Sequence, residues 1–391
     1  MSSEAAAGSA LPEQAEVVII GAGIMGLSIA WNLALRGQKN ILVLDKSYLC
    51  SGASGRNGGG VRAQWSSETN VRLMKRSLEI CAAFATRMRM NVWFRRGGYL
   101  FLARTQERVK QLGESAELQR AAGLPTRMIG PDEIREVVPE LDTSEVLAAS
   151  WNPDDAVVFP WPFVWGYARA CEELGVQVHT HTEVTALDTA HGRICGVSTS
   201  RGRVATQRVI CCAGAWSPEL TRMVGVELPS RPHRHEICSS EPLKPFLRPL
   251  VADLGDGLYF SQSMRGEIVG GISNEDVPPG IDQGSSLRFL ALYAQSLSRT
   301  MPRLGGVKIL RQWAGCYDLT PDRNPLVGDV DEVPGLYLAS GFMGHGFMMA
   351  PVFGELYAEW LLEGGQRELF ERWNLRRYRE GALLEEKMIL G

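Results

Sequence analysis

Val17-Val18-Ile19-Ile20-Gly21-Ala22-Gly23-Ile24-Met25-Gly26 is an apolar, β-branched run that breaks into a Gly-x-Gly-x-x-Gly turn. Apolar residues at helical spacing follow at Leu27, Ile29, Ala30 and Leu33, and a second apolar run, Ile41–Leu44, ends in Asp45. Strand, turn, helix, strand and acid fall in the register of a dinucleotide-binding unit, with the acid about 20 residues past the last glycine. Gly21 permits the tight turn, Gly23 lets a pyrophosphate approach bare backbone, and Gly26 lets the helix pack close to the strand. The helix N-terminus offers N–H groups and a positive dipole end to the phosphates. Asp45 is suited to accept hydrogen bonds from both hydroxyls of an adenosine ribose, and it repels a 2′-phosphate, which disfavours NADP.

The 391 residues exceed the span of one small domain, so two intimately connected domains are expected. An apolar fraction of 45% is that of an ordinary globule, and a net charge of −3 offers no basic field for nucleic acid. The eight cysteines are scattered with no C-x-x-C pair. That pattern argues against zinc ribbons, iron–sulfur clusters and a secreted disulfide scaffold, and points to a reducing cytoplasm. Residues 1–15 read as a disordered tail without the basic and apolar regions of a signal peptide. No apolar run approaches the roughly 18–20 residues that span a bilayer.

Beyond Asp45 comes Ser51-Gly52-Ala53-Ser54-Gly55-Arg56-Asn57-Gly58-Gly59-Gly60-Val61-Arg62. So many small residues cannot pack a core. They suit either a flexible linker or a backbone lying flat against a ligand. The framing Arg56 and Arg62 and the position just after the fingerprint strand favour the ligand. Residues 66–90 carry helical spacing through Val71, Met74, Leu78, Cys81 and Phe84. A turn and strand over 97–102, a polar helix over 105–122 and a short helix from Pro131 follow. The Pro-, Asp- and aromatic-rich stretch 151–162 is expected to be a loop crossing between domains. A helix over 163–174 ends at Gly175, before a strand over 176–179. His179 and His181 would share a face of that strand, but two ligands without a third make a poor metal site, so no metal is expected.

Strands are expected over 182–187, 194–197 and 202–205. A buried strand, Arg208–Cys212, then runs into the small-residue turn Ala213-Gly214-Ala215-Trp216-Ser217 and a helix over 219–223. It is a second place where the sheet presents backbone to a nucleotide. The adjacent Cys211 and Cys212 read as small core residues, because neighbouring cysteines form only a strained disulfide. Residues 225–320 form a β-rich insertion: a strand bearing His233, Arg234 and His235, paired strands at 257–261 and 267–271, and a helix over 286–300. The strand 311–318 carries aromatic and polar side chains that suit either a pocket wall or a packed core. Strand, glycine turn and helix recur at 335–340, Gly341–Gly346 and Met348 to about Leu362. That helix N-terminus can stabilise negative charge on a bound ring. The nucleotide domain is therefore expected to be α/β, Rossmann-like and discontinuous, over 16–80, 150–225 and 322–391. The remaining 81–149 and 226–321 form an antiparallel β-rich substrate domain.

Taken together, these motifs resemble the flavin-dependent amine oxidoreductases of the D-amino-acid oxidase/sarcosine oxidase superfamily, over nearly the whole chain. The resemblance rests on Gly21–Gly26 with Asp45, Ser51–Arg62, Ala213–Ser217, Thr320-Pro321-Asp322 and Gly341–Gly346. Residues 51–65 are most similar to the β subunits of heteromeric sarcosine oxidase, L-proline dehydrogenase and opine oxidase. The resemblance implies a glutathione-reductase-type FAD domain, with pyrophosphate on Gly21, Gly23, Ile24, Met25 and Gly26, ribose on Asp45 and adenine against the backbone of Val184. It places Ser51, Ser54, Gly55, Asn57, Gly58 and Gly59, and Gly344, His345, Gly346, Phe347 and Met348, around the isoalloxazine. Lys46, Ala213, Gly214, Trp216, Gly315 and Gly341 complete the implied cofactor site. Arg62 matches the arginine that pairs with the substrate carboxylate, a role that a guanidinium fork suits chemically. Tyr259, Tyr317 and His345 fall where pocket side chains are expected.

The chain departs from that family pattern at four places. A second carboxylate-binding lysine would fall at Met348, and a lysine linked to oxygen activation near Ile268. The cysteine that attaches flavin covalently aligns with Gly315, one place from Cys316, and a histidine that links FMN has no match in Val158–Trp165. Non-covalent FAD is therefore expected, in a weak oxidase or a dehydrogenase. The resemblance implies oxidation of the C–N bond of a small amino or imino acid, of the sarcosine, proline, opine or D-amino-acid type. Hydride passes to the flavin, the imine is hydrolysed, and oxygen or another acceptor takes the electrons. Two alternatives stand beside it: a flavin-carrying subunit that relays electrons within a heteromeric complex, and an NAD-dependent dehydrogenase.

Overall fold

The computed structural model describes residues 10–274 and 276–388. Its organising element is a six-stranded sheet in the order Leu326–Asp329, Leu336–Ser340, Val209–Cys211, Val17–Ile20, Ile41–Leu44, Gln177–His179. All neighbours are parallel except the edge strand Leu326–Asp329. Alternation along each strand serves two cores. Val17, Ile19, Ile41 and Val43 face a helical layer, whereas Val18, Ile20, Leu42 and Leu44 face the core shared with the strands Val184–Ala190, Arg193–Thr199 and Gly202–Ala205.

The helical layer contains Ile24–Leu35, Pro160–Glu173, Glu68–Met88 and Gly346–Glu363. The first and last approach closely because Gly354 has no side chain: a Cβ there would lie 2.1 Å from Ser28 Oγ. Ser67 caps Glu68–Met88 by accepting from the Asn70 N–H. That helix runs unbroken through residue 80, where a domain boundary was expected, because Cys81, Phe84 and Met88 continue its buried face.

Four helices and the parallel sheet adjoin a mixed eight-stranded sheet. Its order is Ile309–Leu319, Arg231–Pro242, Glu267–Gly271, Tyr259–Gln262, Leu250–Asp253, Tyr99–Ala103, Ala148–Asn152, Arg127–Ile129. The expected boundary at 150 falls inside one of these strands. Two smaller sheets complete the fold: Val184–Ala190, Arg193–Thr199 and Gly202–Ala205 form one, and Gly60–Val61, Ala156–Val157 and Arg95–Arg96 the other.

Several expectations need correction. Residues 151–162 are not a loop: they finish one strand, form Ala156–Val157 and start a helix with Pro160 at its first turn, where a missing N–H costs nothing. The C-terminal glycine-turn helix begins at Gly346, two residues before Met348. Part of the expected tail is ordered, since the Ala15 N–H donates to the Ala205 carbonyl at 2.9 Å and Gln14 pairs with Ala205; residues 1–9 lie outside the described residues. His181 leaves the strand with φ 52°, so it does not share a face with His179. Cys211 and Cys212 are free and buried. Among the described residues, no cluster of His, Cys, Asp and Glu could hold a metal, and no helix is long and apolar enough to cross a membrane.

Candidate active site

The carboxyl ends of the central strands finish together. Ile20 is level with Leu44 and with Cys211, and Cys211 with Leu338. Strand order reverses at Val17–Ile20, so a crevice opens beyond it, which is where open α/β sheets bind ligands. A cavity of about 440 Å³ fills that crevice and continues toward the eight-stranded sheet. Of the residues expected to hold the cofactor, Gly21, Gly23, Ile24, Met25, Asp45, Lys46, Ser51, Ser54, Asn57, Gly58, Gly59, Val184, Ala213, Gly214, Trp216, Gly315, Gly344, His345, Gly346, Phe347 and Met348 line it.

The cradle is built of bare backbone. Gly21 has φ +113°, and a Cβ there would lie 2.4 Å from the Cys212 carbonyl oxygen. Gly23 starts the helix Ile24–Leu35 with no acid in the first turn; the Ile24 N–H donates to Ser54 Oγ at 3.0 Å, and the bare backbone around it suits a pyrophosphate. Asp45 accepts from the Ala22 N–H at 2.9 Å and the Ser47 N–H at 2.8 Å, so the turn and the acid are fixed to each other. Burial raises its pKa, against the pull of those two N–H groups. Lys46 Nζ sits 4.6 Å from the Trp216 ring centroid, both beside the cavity.

Three expected cofactor residues do not line the cavity, and each is a packing glycine. A Cβ on Gly26 would lie 2.0 Å from the Gly21 carbonyl oxygen, and one on Gly55 would lie 2.2 Å from that of Cys50. Gly55 instead faces a second cavity of about 720 Å³ across Arg56–Gly58. Gly341 has φ +70° and donates its N–H to Asp318 Oδ2 at 2.6 Å, which anchors the Gly341–Gly346 turn. Ile268 is buried in the apolar core of the large sheet, away from the main cavity.

All four expected catalytic residues, Arg62, Tyr259, Tyr317 and His345, line the cavity. Arg62 is fully buried. Its guanidinium lies 4.2 Å over Trp65 and 5.2 Å over Phe101, and donates to the backbone carbonyls of Gln64 and Met388. Among the described residues no carboxylate lies within ion-pair distance of it. Burial lowers its pKa, while Tyr99, Glu386 and Asp155 act in the opposite sense. Arg62 Nη2 is also 3.1 Å from His345 Nε2. An arginine only donates, so Nε2 accepts, and the His345 proton resides on Nδ1, which has no partner among the described residues. Burial, then the Arg62 charge, holds His345 well below its ordinary pKa, so the ring is neutral.

The opposite wall is aromatic. His235 stacks on Tyr317, centroids 4.6 Å apart, and its Nε2 is 3.1 Å from the Tyr259 hydroxyl. Burial pushes His235 down to about 3 and raises both tyrosines, so all three are uncharged near neutrality. Tyr317 and Gly315 lie on the strand 309–319, which settles that strand as a pocket wall. Sequence reasoning missed Tyr99, His235, Leu250, Gln283 and Asp318 as lining residues. Strand alternation could have found His235, since Arg234 between its neighbours ion-pairs outward with Asp282; nothing local marks Tyr99. Asp318, pushed up to about 6 by burial, serves the turn through Gly341.

A family model described as FAD dependent oxidoreductase matches residues 16–360. The sarcosine oxidase subunit beta of Rhodobacter capsulatus is 30% identical over 382 residues, covering 96% of this chain and 91% of that protein. L-proline dehydrogenase from P. horikoshii superposes with a TM-score of 0.91 at 37% identity, over 96% of this chain and 100% of that one. Glycine oxidase from Geobacillus kaustophilus shares the fold, with a TM-score of 0.82 at 24% identity over 89% and 94% of the two chains.

Proposed function

The chain belongs to the FAD dependent oxidoreductase family, and we propose that it oxidises the C–N bond of a small amino or imino acid whose carboxylate is held by Arg62. The family sets aside the NAD-dependent alternative. The side-chain-free cradle at Gly21 and Gly23, at the start of the helix Ile24–Leu35, fits the pyrophosphate of FAD. The observation that carries the substrate reading is the buried guanidinium of Arg62, which lines the cavity with carbonyl and imidazole partners but no carboxylate. A substrate carboxylate supplies the missing counter-charge and gains charge-assisted bonds.

When bound, FAD supplies the hydride-accepting ring; the protein supplies orientation and exclusion of water. Arg62 fixes the acid end of the substrate. Tyr317, His235 and Tyr259 form an uncharged wall that accommodates a neutral amine. His345 is no general base here, because its Nε2 lone pair is committed to Arg62. No covalent flavin link is expected at Gly315, which carries no sulfur; Cys316 lines the cavity, and its Sγ donates to the Asp282 carbonyl oxygen at 3.6 Å. The R. capsulatus relative is named as a beta subunit, which favours a second reading in which partner subunits take the electrons.

The test is Arg62→Met. The variant is expected to keep its flavin and lose reduction by amino acids, and reduction at the wild-type rate would sink the carboxylate anchor.

A further inference from the structure

Arg62 does not stand alone. The small sheet pairs Gly60 with Val157 and Val61 with Ala156 in antiparallel register, so Arg62 and Asp155 are the next residues along the two strands. Asp155 is wholly buried and does not line the main cavity. Its Oδ1 accepts from the Ala63 N–H at 2.7 Å and from Asn152 Nδ2 at 2.8 Å, and its Oδ2 accepts from Gln64 Nε2 at 3.1 Å. Its backbone carbonyl accepts from the Gly98 N–H at 2.8 Å. Gln64 is held in turn by Ser150 Oγ, which donates to Gln64 Oε1 at 2.6 Å, and the Gln64 carbonyl accepts from the Arg62 guanidinium.

Resting on the carboxylate-anchor reading above, we propose that Asp155, acting through Ala63 and Gln64, is the positioning residue that aims Arg62 and thereby sets the preference for carboxylate-bearing substrates. Three N–H donors converge on one side chain, which calls for a group that only accepts; an asparagine offers one acceptor and two donors of its own. The carboxylate is also kept out of ion-pair distance of Arg62 among the described residues, so the guanidinium is oriented without being neutralised. Burying such a group costs free energy that an apolar side chain would avoid, which fits a role beyond stability. On the far side of the same loop, Glu386 accepts from the Ser66 N–H and from Asn70 Nδ2, both at 2.9 Å, so residues 62–66 are clamped from two directions.

The test uses the flavin-loaded protein and matched amines with and without a carboxylate: proline against pyrrolidine, and sarcosine against dimethylamine. Asp155→Asn is expected to lower the ratio of kcat/KM for acid over plain amine by about tenfold or more, through KM, and Ser150→Ala by about threefold. The Kd of propionate, read from the flavin absorbance, should rise in parallel, and it carries the comparison if the plain amine is not turned over. A merely structural role would lower both members of each pair together. Should Asp155→Asn fail to load flavin, Ser150→Ala decides. Unchanged ratios and propionate Kd, beside an Arg62→Met control that abolishes the preference, overturn the positioning role and leave the anchor standing. An Arg62→Met control that keeps the preference overturns both.

Discussion

Single residues set the chemistry by what they deny each other. Arg62 has no carboxylate within ion-pair distance among the described residues, and His345 is held neutral by burial first and then by the Arg62 charge beside it. Arg62→Met keeps an apolar stem against Trp65 and Phe101, so kcat/KM for amino acids should fall about 100-fold or more while flavin content stays near that of the wild type. His235 carries a pH signature. Its folded pKa of about 3 lies below its ordinary 6.5, so the unfolded chain takes up a proton that the folded chain refuses. The stability it contributes is therefore present above about pH 6.5 and is lost as pH falls toward 3. Relative to His235→Asn, the wild type should lose about 1.4 kcal/mol for each pH unit below that point, measured by denaturant unfolding. At Gly21, both the positive φ and the Cys212 carbonyl exclude a Cβ. Gly21→Ala should lower Tm and weaken FAD binding, with a stability cost of about 1–3 kcal/mol.

At the scale of elements, the glycine turns and strands of the parallel sheet were legible because their signals are local: a β-branched run, a glycine spacing, an acid at a strand end. Helix Glu68–Met88 was legible from its period, but not its continuity through residue 80, because a domain boundary has no residue signature of its own. The strand hidden in 151–162 was missed because Ala156–Val157 is two residues long and exists only by pairing with Gly60–Val61 and Arg95–Arg96. Asp155 went unnoticed for the same reason, since its partners Ala63 and Gln64 are about 90 residues away in sequence. The C-terminal segment gave no signal either. Met388 is buried and its carbonyl accepts from Arg62, while Glu386 gathers Ser66 and Asn70. Glu386→Ala leaves the buried Asn70 and half-buried Ser66 donors unmet and should destabilise the fold by about 2–3 kcal/mol, seen as a lower denaturant midpoint. It should also weaken binding of carboxylates, because it loosens the loop that carries Arg62.

In the whole molecule, an early glycine turn and a late one meet at one crevice. Gly21–Met25 supplies one rim and Phe342–Met348 the other, and the large mixed sheet contributes Tyr259 and Tyr317 to the wall. Such an arrangement lets a cofactor and a small acid share one enclosed space, and it makes folding and cofactor binding mutually dependent. Removing FAD is accordingly expected to lower Tm, with recovery when FAD is added back. Anaerobic mixing of the purified, flavin-loaded chain with a panel of proline, sarcosine, opines and D-amino acids tests the central claim most directly. At least one of these acids should bleach the flavin absorbance of the wild type and leave that of Arg62→Met unchanged. A flavin that dithionite reduces but no amino acid in the panel does, or that bleaches equally in both proteins, would contradict the account.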